Sequence, residues 1–260
     1  MVGRVLIIAG SDSGGGAGIQ ADIKTVTMLG GYAATAVTAI TVQNTLGVTG
    51  IYPVPQEVIA GQIQSVLSDI GADVIKTGML ADIATIETVA DVIPATIPIV
   101  VDPVMVATSG DTLQSAEAVS ALKERLVSRA AVVTPNIPEA EILTGRTIRD
   151  VSDMKAAGED ILTLGAKAVV MKGGHLPVQD LTDLLVTPHG IVEIEARKQD
   201  TRNTHGTGCT LASAIAAGMA AGESLETAVR NAHAFVQEAI AKAPGYGAGH
   251  GPLGHARVGR

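Results

Sequence analysis

The chain has 260 residues, of which 47% are hydrophobic and 17% charged, and its formal net charge is −8. The negative charge and an aromatic content of 2% argue against a nucleic-acid-binding protein, which needs a basic face or stacking platforms for bases. A single cysteine, Cys209, excludes an internal disulfide framework.

The length and the even composition predict one domain spanning residues 1–260, because no linker-like stretch or internal repeat interrupts the chain. The apolar run at residues 5–9 is too short for a signal-peptide core. No uncharged apolar stretch reaches the roughly 18 residues of a membrane span. The sequence therefore predicts a cytoplasmic protein without membrane contact.

Short β-branched runs alternate with segments of helical period, which predicts an α/β fold with a mostly parallel sheet covered by helices on both faces. The predicted strands are 5–9, 32–42, 73–77, 97–102, 131–134 and 168–172. Residues 181–187 and 191–196 flank a Pro-His-Gly turn and predict an antiparallel hairpin. The glycine-rich tail, 245–260, is predicted to be irregular.

The predicted helices lie between these strands. Apolar residues recur at helical spacing from Val58 to Ile70 and, more strongly, from Leu225 to Ile240. Helices are also predicted at 19–29 and, with many small residues, at 211–221.

Two glycine-rich loops stand immediately before helices. The first, 10–18, follows a strand and weakly resembles a dinucleotide-binding turn, so an oxidoreductase remains one alternative and a plain strand–helix turn another. In the second, 203–210, consecutive amides at Gly206, Thr207, Gly208 and Cys209 predict an anion-binding nest for a transferring phosphoryl group. Cys209 would lie where a helix dipole favours a thiolate, although a lone cysteine often merely packs.

Seven segments in order carry a resemblance that extends over essentially the whole chain. They read GSDSGGGAGIQAD (10–22), QNT (43–45), KTGML (76–80), DPVMVA (102–107), TPNIPE (134–139), MKGGH (171–175) and THGTGCT (204–210). Together they resemble the hydroxymethylpyrimidine/phosphomethylpyrimidine kinases of thiamine biosynthesis, members of the ribokinase-like superfamily.

The resemblance implies a three-layer sandwich, ATP and Mg²⁺ as cofactors, and a homodimer. It implies phosphorylation of 4-amino-5-hydroxymethyl-2-methylpyrimidine and then of its monophosphate. No second domain follows, so a fusion with the thiamine phosphate synthase step is not expected.

For the substrate, the resemblance implies that the Gln43 amide pairs with the pyrimidine ring nitrogen and amino group, which suits a group with both donors and an acceptor. Asp22, four residues after Gly18, is close enough in sequence to the first loop to meet the same ligand. The other residues assigned to the substrate are Gly10 and Ala17 in the first loop, and Met79 and Val106 as apolar walls. Alternatively, Asp22 is a solvent-exposed helix residue and Met79 belongs to the hydrophobic core.

For ATP and the metal, Asp102 ends a strand at the sheet edge where α/β enzymes bind ligands, and an acid there can organise Mg²⁺. Lys172, also at a strand end, is predicted to contact the β- and γ-phosphates. The spacing of Asn136 and Glu139 by itself favours a helix cap, whereas the resemblance implies positioning of Mg²⁺ and phosphate.

Three residues of the second loop complete the predicted site. Thr204 and Thr207 are assigned to ATP, with Thr207 also expected to cap the following helix. His205 either contacts phosphate or only bonds the loop. Cys209, with Gly206, Gly208 and Lys172, is assigned to catalysis, orienting the acceptor hydroxyl and taking its proton late because the transition state is loose. Residues 107–112 are predicted to form a lid.

Two further functions stay open. A pyridoxal or pyridoxine kinase shares these loops and binds another hydroxymethyl heteroaromatic compound. A nonenzymatic pyrimidine or nucleotide sensor would require a broken phosphate site, yet Lys172, Glu139 and the glycine nest are all present.

Overall fold

The computed structural model of the protein describes residues 2–105, 115–174 and 180–259. Within these ranges the strands are β1 (Arg4–Asp12), β2 (Tyr32–Asn44), β3 (Gly47–Pro53), β4 (Val74–Thr77), β5 (Ile99–Val101), β6 (Val132–Val133), β7 (Val169–Met171), β8 (Asp180–Thr187) and β9 (Gly190–Arg197). The helices are α1 (Gly18–Met28), α2 (Gln56–Asp69), α3 (Ile83–Val92), α4 (Ala116–Arg125), α5 (Ile137–Thr144), α6 (Val151–Thr163), α7 (Thr207–Ala220) and α8 (Leu225–Ala241).

The nine strands form one sheet in the order β3-β2-β1-β4-β5-β6-β7-β8-β9. The central strands β2, β1, β4, β5, β6 and β7 pair in parallel. Antiparallel pairs complete the two edges, β3 on β2 and the β8–β9 hairpin on β7. The carboxyl ends of six neighbouring strands therefore lie along one edge of the sheet.

Two apolar cores sandwich this sheet, and β1 shows why. Its side chains alternate between faces, as in any strand. Leu6 and Ile8 pack with α2–α6 on one face, and Val5, Ile7 and Ala9 pack with α1, α7 and α8 on the other. The mostly parallel sheet with helices on both faces is thus confirmed, and so are the eight predicted strands and the predicted helices α1, α2, α7 and α8 within a few residues.

Strand β3 was not predicted from the sequence. It contains Gly47 and Gly50, ends at Pro53 and is half-buried or exposed throughout, so it lacks the apolar alternation that marks a strand. Backbone pairing with β2 specifies it instead. The tail is largely irregular, as expected, with one short 3₁₀ turn at His255–Arg257, yet Leu253 and His255 are buried. Among the described residues, no helix is long and apolar enough to cross a membrane.

Candidate active site

A cavity of about 660 Å³ lies at the carboxyl edge of the parallel strands. The strand order reverses there, since β1 is flanked by β2 on one side and by β4 on the other. Open α/β sheets bind ligands at such a switch point. The lining includes most of the predicted site residues: Gly10, Ala17, Gln43, Met79, Asp102, Asn136, Glu139, Lys172, Thr204, Gly206, Thr207, Gly208 and Cys209.

The first glycine loop is organised by Asp12 at the end of β1. Its Oδ1 accepts the Gly14 amide at 2.7 Å, and its Oδ2 accepts the amides of Gly16 at 2.9 Å and Ala17 at 2.8 Å. The His205 ring, from the second loop, reaches the same Oδ2 at 2.9 Å. Burial opposes ionisation of Asp12, but these hydrogen bonds outweigh it and hold the pKa of the carboxyl below its usual range.

The second glycine loop leads directly into α7. Gly206 is the N-cap residue with a φ of 88°, and a Cβ atom there would lie 1.8 Å from the Gly16 carbonyl oxygen. A Cβ atom at Gly208 would lie 3.0 Å from Lys172 Nζ. Glycine at these positions lets the two loops touch and brings the α7 N-terminus, which favours anions, against Lys172. The expectation that the Thr207 side chain caps α7 was wrong, because Thr207 is the first helical residue and the N-cap position is held by Gly206, which has no side chain.

The buried carboxylates Asp102 and Glu139 and the half-buried Lys172 form a charged cluster beside this helix. Lys172 Nζ lies 3.2 Å from Asp102 Oδ1 and 3.7 Å from Glu139 Oε2. Burial disfavours the ammonium, but the two carboxylates outweigh it and raise the pKa of Lys172. Burial raises the pKa of Glu139 to about 7. Asp102 Oδ2 has no hydrogen-bond partner within the described part of the chain, although it is buried.

Asn136 and Glu139 form a complete capping box at the start of α5. The Asn136 side chain accepts the Glu139 amide at 2.9 Å, and Glu139 Oε2 accepts the Asn136 amide at 2.8 Å. The spacing-based interpretation is therefore confirmed. The same two residues line the cavity, so their predicted role towards nucleotide and metal remains a prediction.

Cys209 lines the cavity in the first turn of α7, but its ionisation differs from the expectation. Burial raises the pKa of its thiol to about 12, and the opposing effects of the Lys76 ammonium and the Gly18 amide do not compensate. The helix N-terminus therefore does not produce a thiolate. At neutral pH the sulfur carries its proton.

Asp22 does not reach the cavity. Its carboxylate is fully buried and receives Lys76 Nζ at 2.9 and 3.0 Å and the Ser213 hydroxyl at 2.7 Å. Neither Asp22 nor Lys76 is among the cavity-lining residues. The structure thus places Asp22 as the counter-ion of Lys76 beneath the site.

Other expectations have mixed outcomes. Val106 and the predicted lid at 107–112 lie outside the described residues. Met79 lines the cavity against Gly10, where a Cβ atom would lie 2.7 Å from the Met79 methyl. Sequence reasoning assigned no role to Asp12 or Lys76. A lysine inside the apolar run of β4 was the available signal for a buried pair, whereas nothing local distinguishes Asp12 from a loop residue.

This combination of fold and site defines a phosphotransferase of the ribokinase-like class, with a helix-terminal glycine nest beside a lysine and two buried carboxylates. The model of the family described as phosphomethylpyrimidine kinase matches residues 12–254. The chain belongs to the phosphomethylpyrimidine kinase family.

Curated relatives agree with this assignment. The chain is 47% identical over 255 residues to the hydroxymethylpyrimidine/phosphomethylpyrimidine kinase of Bacillus subtilis, covering 97% of this chain and 94% of the relative. It is 49% identical to the thiamine biosynthesis bifunctional protein of Geobacter sulfurreducens, again over 97% of this chain, but it spans only 52% of that relative's length.

Solved structures share the fold. An ADP complex of Bacillus subtilis pyridoxal kinase matches with a TM-score of 0.92 and 36% identity, covering 98% of both chains. The phosphomethylpyrimidine kinase of Clostridium difficile matches with a TM-score of 0.81 and 40% identity, covering 92% of this chain and all of that one.

Proposed function

We propose that this chain transfers the γ-phosphoryl group of ATP to the hydroxymethyl oxygen of 4-amino-5-hydroxymethyl-2-methylpyrimidine and then to the resulting monophosphate, in thiamine biosynthesis. One observation carries the proposal. A single cavity joins the Gln43 amide, suited to a heteroaromatic ring, with Lys172, two carboxylates and the helix-terminal glycine nest. The names of the relatives support the same substrate.

The charged groups favour transfer electrostatically. The transferring phosphoryl group passes through a loose transition state whose charge is spread over its oxygens. The first-turn amides of α7 and the Lys172 ammonium are fixed before the substrate binds, so they stabilise that charge without reorganising. Lys172 is held in place by Asp102 and Glu139, which also keep it protonated.

Cys209 acts in this proposal as a neutral thiol. A protonated sulfur cannot accept the proton of the acceptor hydroxyl, so the late proton acceptance expected from the sequence is replaced by orientation of that hydroxyl. A loose transition state requires little proton removal early in the reaction, so the hydroxyl proton leaves late, to an oxygen of the transferred phosphoryl group and then to solvent. An unchanged kcat for Cys209→Ala at saturating substrate would remove Cys209 from the chemistry.

Mg²⁺ fits the residues present. Asp102 Oδ2 is a buried carboxylate oxygen without a hydrogen-bond partner among the described residues, and Glu139 lies across Lys172 from it. Mg²⁺ is commonly held by one or two carboxylates together with substrate phosphates and water, so a group of three protein ligands is not required. When bound, the ion would neutralise charge on the nucleotide phosphates. We assign Asp102 and Glu139 to this ion, and Asn136, Thr204 and Thr207 to the nucleotide.

The test is ADP release from Mg-ATP in the presence of the hydroxymethylpyrimidine, followed by mass analysis of the product. The proposal predicts the monophosphate first and the diphosphate later. Lys172→Met should lower kcat by about a hundredfold or more, the effect of removing a preorganised charge at a reacting group. Lys167→Met, at an exposed lysine, is the matched control.

A pyridoxal kinase is the second candidate, because structures of pyridoxal kinases superpose on this chain at a TM-score of 0.92. The same assay with pyridoxal separates the two. Phosphorylation of pyridoxal without turnover of the pyrimidine would overturn the main proposal. If neither compound supports ATP turnover, the chain would instead be a sensor that binds its ligand without catalysis.

A homodimer is proposed for the assembly. Exposed apolar side chains cluster on β2, β3 and their connection, including Ile40, Val42, Leu46 and Tyr52, and β3 is an edge strand. Burial of this apolar surface by a second copy would stabilise the pair. Sedimentation of the wild type against Leu46→Glu tests this, and a monomeric wild type refutes it.

A cytoplasmic location is proposed with the pathway and is tested by cell fractionation.

A further inference from the structure

Three side chains join the two glycine loops next to the predicted substrate, and the phosphoryl-transfer chemistry does not use two of them. His205 Nε2 lies 2.9 Å from Asp12 Oδ2 and 3.3 Å from the side-chain nitrogen of Gln43. All three residues line the cavity. Asp12 and His205 are only 3% and 7% exposed, so water does not easily replace these contacts.

The hydrogen bonds determine which atom carries the proton on His205. Asp12 Oδ2 also accepts the amides of Gly16 and Ala17, and an ionised carboxylate can only accept. The hydrogen bonds from backbone and ring favour that ionised form. His205 Nε2 therefore bears a hydrogen and donates it to Asp12.

This donor restricts the direction of the Gln43 amide. With the amide nitrogen towards His205, two donors face each other at 3.3 Å. The amide oxygen then lies 3.1 Å from Thr41 Oγ1, whose single hydrogen also has the Ser11 carbonyl at 2.9 Å. Exchanging the amide nitrogen and oxygen removes the two facing donors. The oxygen then shares the His205 Nε2 hydrogen with Asp12, the nitrogen donates to Thr41, and Thr41 donates to Ser11.

We propose that Asp12 and His205 are positioning residues that hold the Gln43 amide with its oxygen towards His205 and its nitrogen towards Thr41, and that this direction selects the substrate ring. The inference rests on the proposed function. One amide hydrogen and one oxygen lone pair remain for a ligand. Together they complement a ring nitrogen next to an amino group, as glutamine does with adenine.

The matching probe is the same ring with donor and acceptor exchanged. In the 4-oxo analogue, 5-hydroxymethyl-2-methylpyrimidin-4-one, a carbonyl replaces the amino group and a ring N–H replaces the ring nitrogen. The size of the ligand is retained, but both hydrogen bonds to the fixed amide become repulsive. Turning the amide to suit this analogue would break its contacts with His205 and Thr41.

The experiment measures binding of the 4-amino compound and the 4-oxo analogue by calorimetry without nucleotide, for four proteins. Wild type and His189→Leu, at an exposed histidine, should favour the amino compound by about a hundredfold. His205→Leu should reduce this ratio by about tenfold, because the freed amide can turn. His205→Gln, whose side-chain amide places a donor near the former Nε2, should restore the ratio.

If His205→Leu weakens binding of both ligands equally, so that the ratio of their affinities is unchanged, the inference is overturned. A merely structural role of His205 would affect both ligands alike. Thermal melting of each variant confirms folding. In the wild type, ¹⁵N spectra should show a hydrogen on His205 Nε2, and a bare Nε2 also overturns it. A wild type that binds selectively but transfers no phosphate refutes the proposed function alone, and one that binds neither ring refutes both.

Discussion

Replacing Lys76 by methionine should strongly destabilise this protein, although Lys76 lies outside the cavity. Its side chain and that of Asp22 are both completely buried. Methionine retains the apolar stem and removes the ammonium, so among the described residues the Asp22 carboxylate would keep only the Ser213 hydroxyl as a side-chain partner. Because water cannot reach the buried carboxylate, hydration does not replace the lost interaction with the ammonium.

The magnitude follows from that complete burial. Removing one partner of a buried ion pair costs about 3–5 kcal/mol of unfolding free energy. For a chain of this size each kcal/mol lowers Tm by roughly 2–4 °C, so Lys76→Met should lower Tm by about 6–20 °C. The double variant Lys76→Met with Asp22→Leu removes both charges and should recover most of the loss.

The assay is thermal and urea unfolding of the ligand-free protein. Arg230→Gln is the control, because its pair with Glu226 is half-exposed and should be worth less than about 1 kcal/mol. If Lys76→Met costs no more than Arg230→Gln, or if the double variant is less stable than either single variant, the reasoning about this pair is wrong.

Three more predictions concern the site. Because the pKa of Cys209 is raised from 9.0 to about 12, its alkylation by iodoacetamide at pH 8 should be about a thousandfold slower in the folded than in the unfolded chain, and comparable rates would contradict the neutral thiol. Burial raises the pKa of Glu139 from 4.5 to about 7. Between pH 4.5 and about 7 the folded state therefore binds more protons than the unfolded state, and the contribution of Glu139 to stability falls as the pH rises across this range. Glu139→Gln should remove that slope in urea titrations while lowering kcat, and a wild-type slope in the variant would exclude Glu139 as its source. Gly206→Ala should cost more than about 2 kcal/mol, because the new methyl would overlap the Gly16 carbonyl at a left-handed φ, and unchanged melting would show that the loops can separate.

Predictions for the site succeeded where the information was local. The Asn136–Glu139 spacing predicted the capping box that the structure contains, since a cap depends on residues three apart. Asp102 and Lys172 were each predicted at a strand end, and the structure brings them to within 3.2 Å of each other at one edge of the sheet. Predictions failed where the surroundings of a side chain decided its state, as at Cys209 and Asp22.

The sequence by itself determined the layered α/β fold, the glycine loops and the family, because periodicity and ordered motifs are properties of the chain alone. Only the tertiary structure decided that Asp22 neutralises Lys76, that Cys209 stays protonated and that His205 meets Asp12. These outcomes depend on burial and on distances between residues far apart in the chain. Burial changes the cost of a charge by more than any local pattern does, so ionisation in this site is a property of the fold.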